Sequence, residues 1–200
     1  MKSSSESESG VIRAGAQIFI RAPEAGDRDE FVALMRASER FHRRWASPPV
    51  TAEQFDEYLE RCRRPNFEGL LACRREDGRV VGVFNLSEIV RGGFQSCYMG
   101  YNVGAGYQRR GYMTEALRLV LGHAFETLRL HRVEANIQPE NAPSIALVRR
   151  AGFAREGFSR RYLKIAGRWR DHERWALLAE EWRGKKSEGE KGEGSKSGKG

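Results

Sequence analysis

Between Gly111 and Arg129, Leu117, Val120, Leu121, Ala124, Phe125 and Leu128 recur at i, i+3, i+4, i+7 spacing. A helix puts all six on one side, and a stripe that wide must be laid on another element. Directly before it stands GAGYQRRG (104–111). Soon after it comes RVEANIQ (132–138), which alternates strictly and puts Val133, Ala135 and Ile137 on one side of a strand.

The rest of the chain supplies partners. QIFIRAP (17–23) alternates like a first strand, and GDRDEFVALMRASERF has an acidic first turn and then reads as helix. TAEQFDEYLERCRR predicts a second helix with Thr51 as its N-cap. GLLACRREDGRVVGVFNLS holds Asp77-Gly78 between two apolar runs and predicts a hairpin, and FQSCYMGYNV (94–103) predicts the next strand. APSIALVRRAG predicts a short helix capped by Asn141 and ended by Gly152. FSRRYLKI and RWRDHERWALL, joined at Ala166-Gly167, predict a last hairpin. The order is strand, two helices, three strands, helix, strand, helix, two strands. That predicts an α/β (α+β) domain with one mixed central sheet of about seven strands and helices on both faces.

Residues 1–12 and 184–200 are Ser, Glu, Lys and Gly tracts too poor in apolar groups to offset ordering entropy, and are expected to be disordered tails around a domain at 13–183. Cys62, Cys73 and Cys97 form no C-x-x-C pair and are odd in number, which suits reduced, mostly buried thiols in a cytoplasmic protein. MKSSSESESG lacks the apolar core of a secretory signal, and no run is long enough for a membrane helix. No metal-ligand spacing and no nucleic-acid-binding motif is present. The net charge of +8 lies mostly on the domain. It suits anionic partners such as a phosphorylated cofactor or a ribonucleoprotein, or else a plain Arg-rich surface.

GAGYQRRGYM joins a strand to a helix, so several N–H groups there lack intrahelical partners and, with the helix dipole, suit a phosphate or pyrophosphate. Gly106 and Gly111 have P-loop separation, but Tyr112-Met113 stands where Lys-Ser/Thr is required. Gly104 and Gly106 begin a Rossmann fingerprint whose third glycine comes two residues late. Both classes are excluded.

Gln108-x-x-Gly111-x-Met113 resembles the Q/R-x-x-G-x-G/A pyrophosphate loop of the GNAT acyl-CoA N-acyltransferases, with Met113 departing from the small final residue. Asn141-x-x-Ser144 and Arg149-Arg150-Ala151-Gly152-Phe153 resemble that superfamily's second cofactor element and its helix-to-strand corner, and the element order agrees over about residues 16–182. NLSEIVRGGFQSCYMGYNVG (85–104), GFAREGFSRRYLKIAGRWRDH (152–172) and Trp45-Ala46-Ser47-Pro48 resemble the ribosomal-protein-alanine N-acetyltransferases, the RimJ/RimL group.

The resemblance implies acetyl-CoA as cosubstrate, no metal, and an amine acceptor attacking the thioester directly. It implies that the strand ending near Val103 splays from 132–138. Pantetheine then pairs with free main-chain groups of Tyr101, Asn102 and Val103, and the loop Gln108, Arg109, Arg110, Gly111, Tyr112, Met113 takes the pyrophosphate. Asn141 is carried over as a cofactor contact besides its cap role. Ser144 is either a donor to the departing thiolate or a first-turn serine. Glu134 and Asn136 can hold a water or the amine, or be structural. Phe41 and Trp45 line the acceptor groove or belong to the core, and His172 is read as structural. The glutamate many GNATs place before the loop corresponds to Tyr98, and the usual acid tyrosine to Val148. A lysine with pKa about 10.4 is about 0.04% neutral at pH 7, an α-amine near 8 roughly 10%. A site without a strong base therefore suits the N-terminal α-amine of a protein, such as a ribosomal protein starting with Ala or Ser. The alternatives are a small amine (antibiotic or polyamine) and a non-catalytic acyl-CoA-binding module.

Overall fold

The computed structural model describes residues 10–182. Most of the expected tails, 1–9 and 184–200, lie outside these residues, as does Arg183 at the expected domain's end. The N-terminal boundary is corrected. Val11–Ala14 form a strand, β1, paired with β2 (Ile18–Arg21), because Val11 and Ile12 find apolar cover that composition alone did not reveal.

Along the chain follow α1 (Arg28–Ala37), α2 (Glu39–His42), α3 (Ala52–Cys62), β3 (Phe67–Arg74), β4 (Val80–Val90) and β5 (Ser96–Val103). Then come α4 (Tyr112–Gly122), β6 (Arg132–Ile137), α5 (Ala142–Ala151), β7 (Ala154–Ile165) and β8 (Arg168–Leu178). The strands form one sheet in the order β1-β2-β3-β4-β5-β6-β8-β7, eight among the described residues where seven were expected. Only β5–β6 is parallel, as befits a connection that crosses over through α4.

Local signals set most element ends. The Thr51 hydroxyl accepts from the Gln54 amide at 3.3 Å, and Asn141 Oδ1 accepts from the Ser144 amide at 3.3 Å. Gly152 ends α5 in the left-handed region at φ 98°. The helix expected over 111–129 is regular only to Gly122 and then widens into a π-helical turn, His123–Thr127, with Leu128 N–H reaching the His123 carbonyl at 2.9 Å. The Glu115 carboxylate accepts from the Gln17 and Ile18 amides at 2.8 and 3.2 Å, tying α4 to β2.

The sheet separates two cores. Leu117, Val120, Leu121 and Phe125 of the α4 stretch pack with Phe84, Val133, Ala135 and Leu177 on one face. On the other, Phe31 and Met35 of α1 pack with Phe55 and Tyr58 of α3 over Leu71 and Val83. Phe31 is wholly buried, its ring 5.0 Å from Phe55 and 5.6 Å from Tyr58. Phe31→Ala removes this junction and lowers the unfolding free energy by about 3–5 kcal/mol. A reduced urea midpoint with unchanged slope is the expected result.

Candidate active site

β5 and β6 pair only at Ser96–Arg132, Cys97–Val133 and Tyr98–Glu134. Beyond that point each strand keeps its other neighbour, β5 with β4 to Val103 and β6 with β8 to Ile137, while the two diverge. The Gly104 amide donates to the Val81 carbonyl at 2.8 Å, which fixes the alternation along β5. Even-numbered residues turn their main chain toward β4, and Met99, Tyr101 and Val103 turn theirs into the splay.

This corrects two expected contacts. Asn102 spends its main-chain groups on Val83 of β4. The Val103 carbonyl is already taken, accepting from His42 Nε2–H at 2.8 Å. Tyr101, with both main-chain groups, and the Val103 N–H face the splay.

Side chains alternate too. Cys97, Met99 and Tyr101 face α4 and α5, whereas Tyr98, Gly100 and Asn102 face the α1–α3 side, together with Glu134 and Asn136 of β6. At the α4 end of the gap, Ala105–Tyr107 form a short 3-10 turn, and the Ala105 amide donates to Ser38 Oγ at 2.8 Å. Among the described residues the amides of Gln108, Arg109, Arg110, Gly111, Tyr112 and Met113 reach no main-chain carbonyl. Arg109 and Gly111 take positive φ, 58° and 82°, and the loop side chains of Arg109 and Arg110 are exposed. Unsatisfied amides, a helix N-terminus and two unpaired cations fit a pyrophosphate. Met113, the departure from the family pattern, is accommodated by Gly82, where a Cβ would stand 2.9 Å from the Met113 sulfur.

Tyr101 bridges the arms. Its ring packs on Phe84 at 5.4 Å, its hydroxyl donates to the Ser144 carbonyl at 3.3 Å, and burial pushes its pKa up to about 12. Ser144 therefore lies beside the splay, half-buried in the first turn of α5. Asn141 Oδ1 is committed to its cap.

On the other face, Glu134 is held by Arg132 Nε at 2.9 Å, and Arg132 also pairs with Glu156. Asn136 Oδ1 is buried without a partner. Asn136 and Gly100 each lie two positions past the last β5–β6 pair, and at Gly100 an added Cβ would meet nothing within 4 Å. Burial first, then the neighbouring Tyr98 hydroxyl, push Tyr162 up to about 12.

Ser38, His42, Gln138 and Tyr162 were not singled out from the sequence. Gln138 is buried and donates to the carbonyls of Arg44 and Trp45 at 3.2 and 3.4 Å, so one segment is braced on both arms. No local pattern announces such bonds, which span 61 to 94 positions. His172 is buried against Tyr162 and bonds the Arg170 carbonyl at 3.0 Å, a structural role. Phe41 and Trp45 lie outside both cores, Phe41 exposed and Trp45 half-exposed beneath Arg44 at 4.8 Å. Next to them a groove of about 680 Å³ runs between α3, residues 46–50 and Ala166 at the β7–β8 turn. It reaches Tyr58, whose hydroxyl donates to Asn85 at 2.9 Å, and Asn85 is the register partner of Gly100.

A family model described as an acetyltransferase (GNAT) domain matches residues 17–154. The chain belongs to the GNAT acetyltransferases. It is 34% identical over 172 residues to the probable N-acetyltransferase YjcK of Bacillus subtilis, covering 82% of this chain and 95% of that one. It is 41% identical over 107 residues to the [ribosomal protein uS5]-alanine N-acetyltransferase of Escherichia coli, 54% of this chain and 55% of that one. Mycobacterium smegmatis RimJ in complex with CoA-disulfide superposes with a TM-score of 0.76 at 28% identity, over 82% of this chain and 83% of that one. This GNAT enzyme is thus an acetyl-CoA-dependent N-acetyltransferase of the RimJ/RimL type.

In this GNAT domain His42 and His172 are held by burial below the ordinary histidine pKa of 6.5. The unfolded chain then binds more protons, so their contribution is intact above about 6.5 and is lost as pH falls through the folded values. Melting temperature declines from pH 7 toward 5.5, and His42→Gln makes the decline shallower. Gly111→Ala forces a Cβ into the left-handed region at a cost of about 1–2 kcal/mol. It raises KM for acetyl-CoA several-fold while kcat changes less, as steady-state kinetics will show.

Proposed function

We propose that the acceptor is the N-terminal α-amine of a protein, with a ribosomal protein beginning with Ala or Ser as the first candidate. The observation that carries this reading is the commitment of Glu134, the carboxylate that β6 turns to the acceptor side, to Arg132. The groups left on the acceptor face are neutral: Asn136, Tyr98 and Tyr162. An α-amine, partly neutral at pH 7, needs no more than a hydrogen-bond acceptor and a water to take its proton, whereas a lysine needs a placed base.

The groove suits a peptide. Glu39 and Glu57 line it without ion pairs among the described residues, beside Arg43, Arg61 and Arg64, and these five side chains are exposed, so the groove is open. The E. coli relative is named for an alanine of ribosomal protein uS5.

In this reading the amine nitrogen attacks the thioester carbonyl between Gly100 and Asn136. Asn136 Oδ1 accepts from its N–H and orients its lone pair. A main-chain N–H facing the splay, from Tyr101 or Val103, steadies the carbonyl oxygen. The C–S bond breaks, the CoA sulfur takes a proton with Ser144 as the nearest candidate donor, and the amine proton leaves to water. Acetyl-CoA supplies the activated acetyl group.

The test is acetylation, read by mass spectrometry, of an Ala-starting peptide, the same peptide with its N-terminus blocked but a lysine free, and spermidine. Modification of the first alone is expected. Faster modification of blocked peptide or spermidine overturns the reading. Gly100→Val narrows the acceptor side of the splay. It lowers kcat/KM for the peptide about 10- to 100-fold with KM for acetyl-CoA nearly unchanged.

A further inference from the structure

The β7–β8 hairpin extends beyond the sheet: β6 ends opposite Glu173, so residues 158–172 have no β6 partner. From Gly157 to Arg170 it holds Arg160, Arg161, Lys164, Arg168 and Arg170 and no acidic residue. None of these five side chains makes an ion pair or a side-chain hydrogen bond among the described residues, and Arg170 Nε is buried without a partner. Some arginines elsewhere are paired, as at Arg13–Glu126, Arg21–Asp27, Arg74–Asp77, Arg132–Glu156 and Arg155–Glu173, and others, such as Arg109 and Arg110, have no carboxylate partner among the described residues. What sets the hairpin apart is concentration: five unpaired cations stand from Arg160 to Arg170 with no acidic residue among them.

Trp169 is 61% exposed, opposite Lys164 in the hairpin register. A large ring left in water beside unpaired cations matches two features of single-stranded nucleic acid. The phosphates take the cations, and an unstacked base takes the ring face. A duplex hides its bases from such a ring.

We infer that the β7–β8 hairpin binds the phosphate backbone and bases of a single-stranded nucleic acid, at the rim of the groove that Ala166 borders. The surface goes beyond the acceptor assignment and does not rest on it. If that assignment holds, the rim grips the RNA of a ribonucleoprotein while a protein N-terminus enters the groove.

The experiment is fluorescence anisotropy of the full chain with a labelled single-stranded RNA oligonucleotide, without acetyl-CoA, between 50 and 200 mM salt. Five neutralised phosphates give a log–log slope of about −3.5, an affinity loss of about 100-fold across that range. Replacing Arg160, Arg161, Lys164 and Arg168 together by Gln is expected to abolish most of the binding and flatten the slope. Trp169→Ala is expected to weaken binding several-fold with the slope unchanged. Acetylation of the short Ala-starting peptide stays at the parent rate in the four-Gln variant, which shows that it is folded. Parent and variant binding RNA equally overturns the inference. So does equal competition by duplex RNA or polyglutamate, or a sedimentation shift showing that the hairpin instead holds a second copy of the chain. Failure of peptide acetylation in the parent protein would sink the acceptor assignment and leave the RNA result standing.

Discussion

The structure turns on hydrogen bonds that β5 and β6 do not make. Main-chain donors and acceptors in a sheet interior are nearly always paired, so parallel strands that part after three register pairs leave groups needing another partner. The opening persists because each arm is held from behind, β5 by β4 and β6 by β8. It is also braced in front, where His42 reaches Val103 and Gln138 reaches the carbonyls of Arg44 and Trp45. The unsatisfied edge of Tyr101 and Val103 is a template on which an extended, amide-bearing cosubstrate can act as a missing strand.

From that gap the two faces divide the work. Toward α4 and α5 lie the loop amides, Tyr101 and Ser144, arranged for an anionic cofactor with a sulfur at its end. Toward α1–α3 lie Gly100, Asn136 and the tyrosine pair, the face to which the proposed mechanism brings the amine. Gly100 takes no positive φ and an added Cβ there would touch nothing, so neither backbone strain nor packing calls for glycine. The open space is on the acceptor side of the splay, which ties the residue to access and not to folding.

Charge follows the same geography. Arginines that serve the fold are neutralised by nearby carboxylates, and the Arg132–Glu134–Glu156 cluster does so at the edge of the site itself. In the proposed reading this withdraws a carboxylate from proton transfer and favours an amine already partly neutral at pH 7. Among the described residues, the arginines without a carboxylate partner include those of the loop before α4 and of the projecting hairpin, where anions can be met in water.

Most of the elements and the cofactor loop were legible in the sequence because their causes are local. The α4 stripe repeats every turn, Thr51 and Asn141 cap residues three positions on, and Gly111 and Gly152 mark left-handed turns. Strand β1 was missed because four half-covered residues carry too short a pattern to stand out from a polar tract. The acceptor side was legible only in part: Asn136 and Glu134 were visible as the polar face of a strand, but Arg132's hold on Glu134 was not. The sequence by itself determined most of the helices and strands and the loop of unpaired amides that leads into α4, since those depend on neighbours a few residues apart. Only the tertiary structure decided where the strands part, which carbonyls His42 and Gln138 occupy, and which charges remain unpaired, because those depend on register and on contacts between residues far apart in the chain.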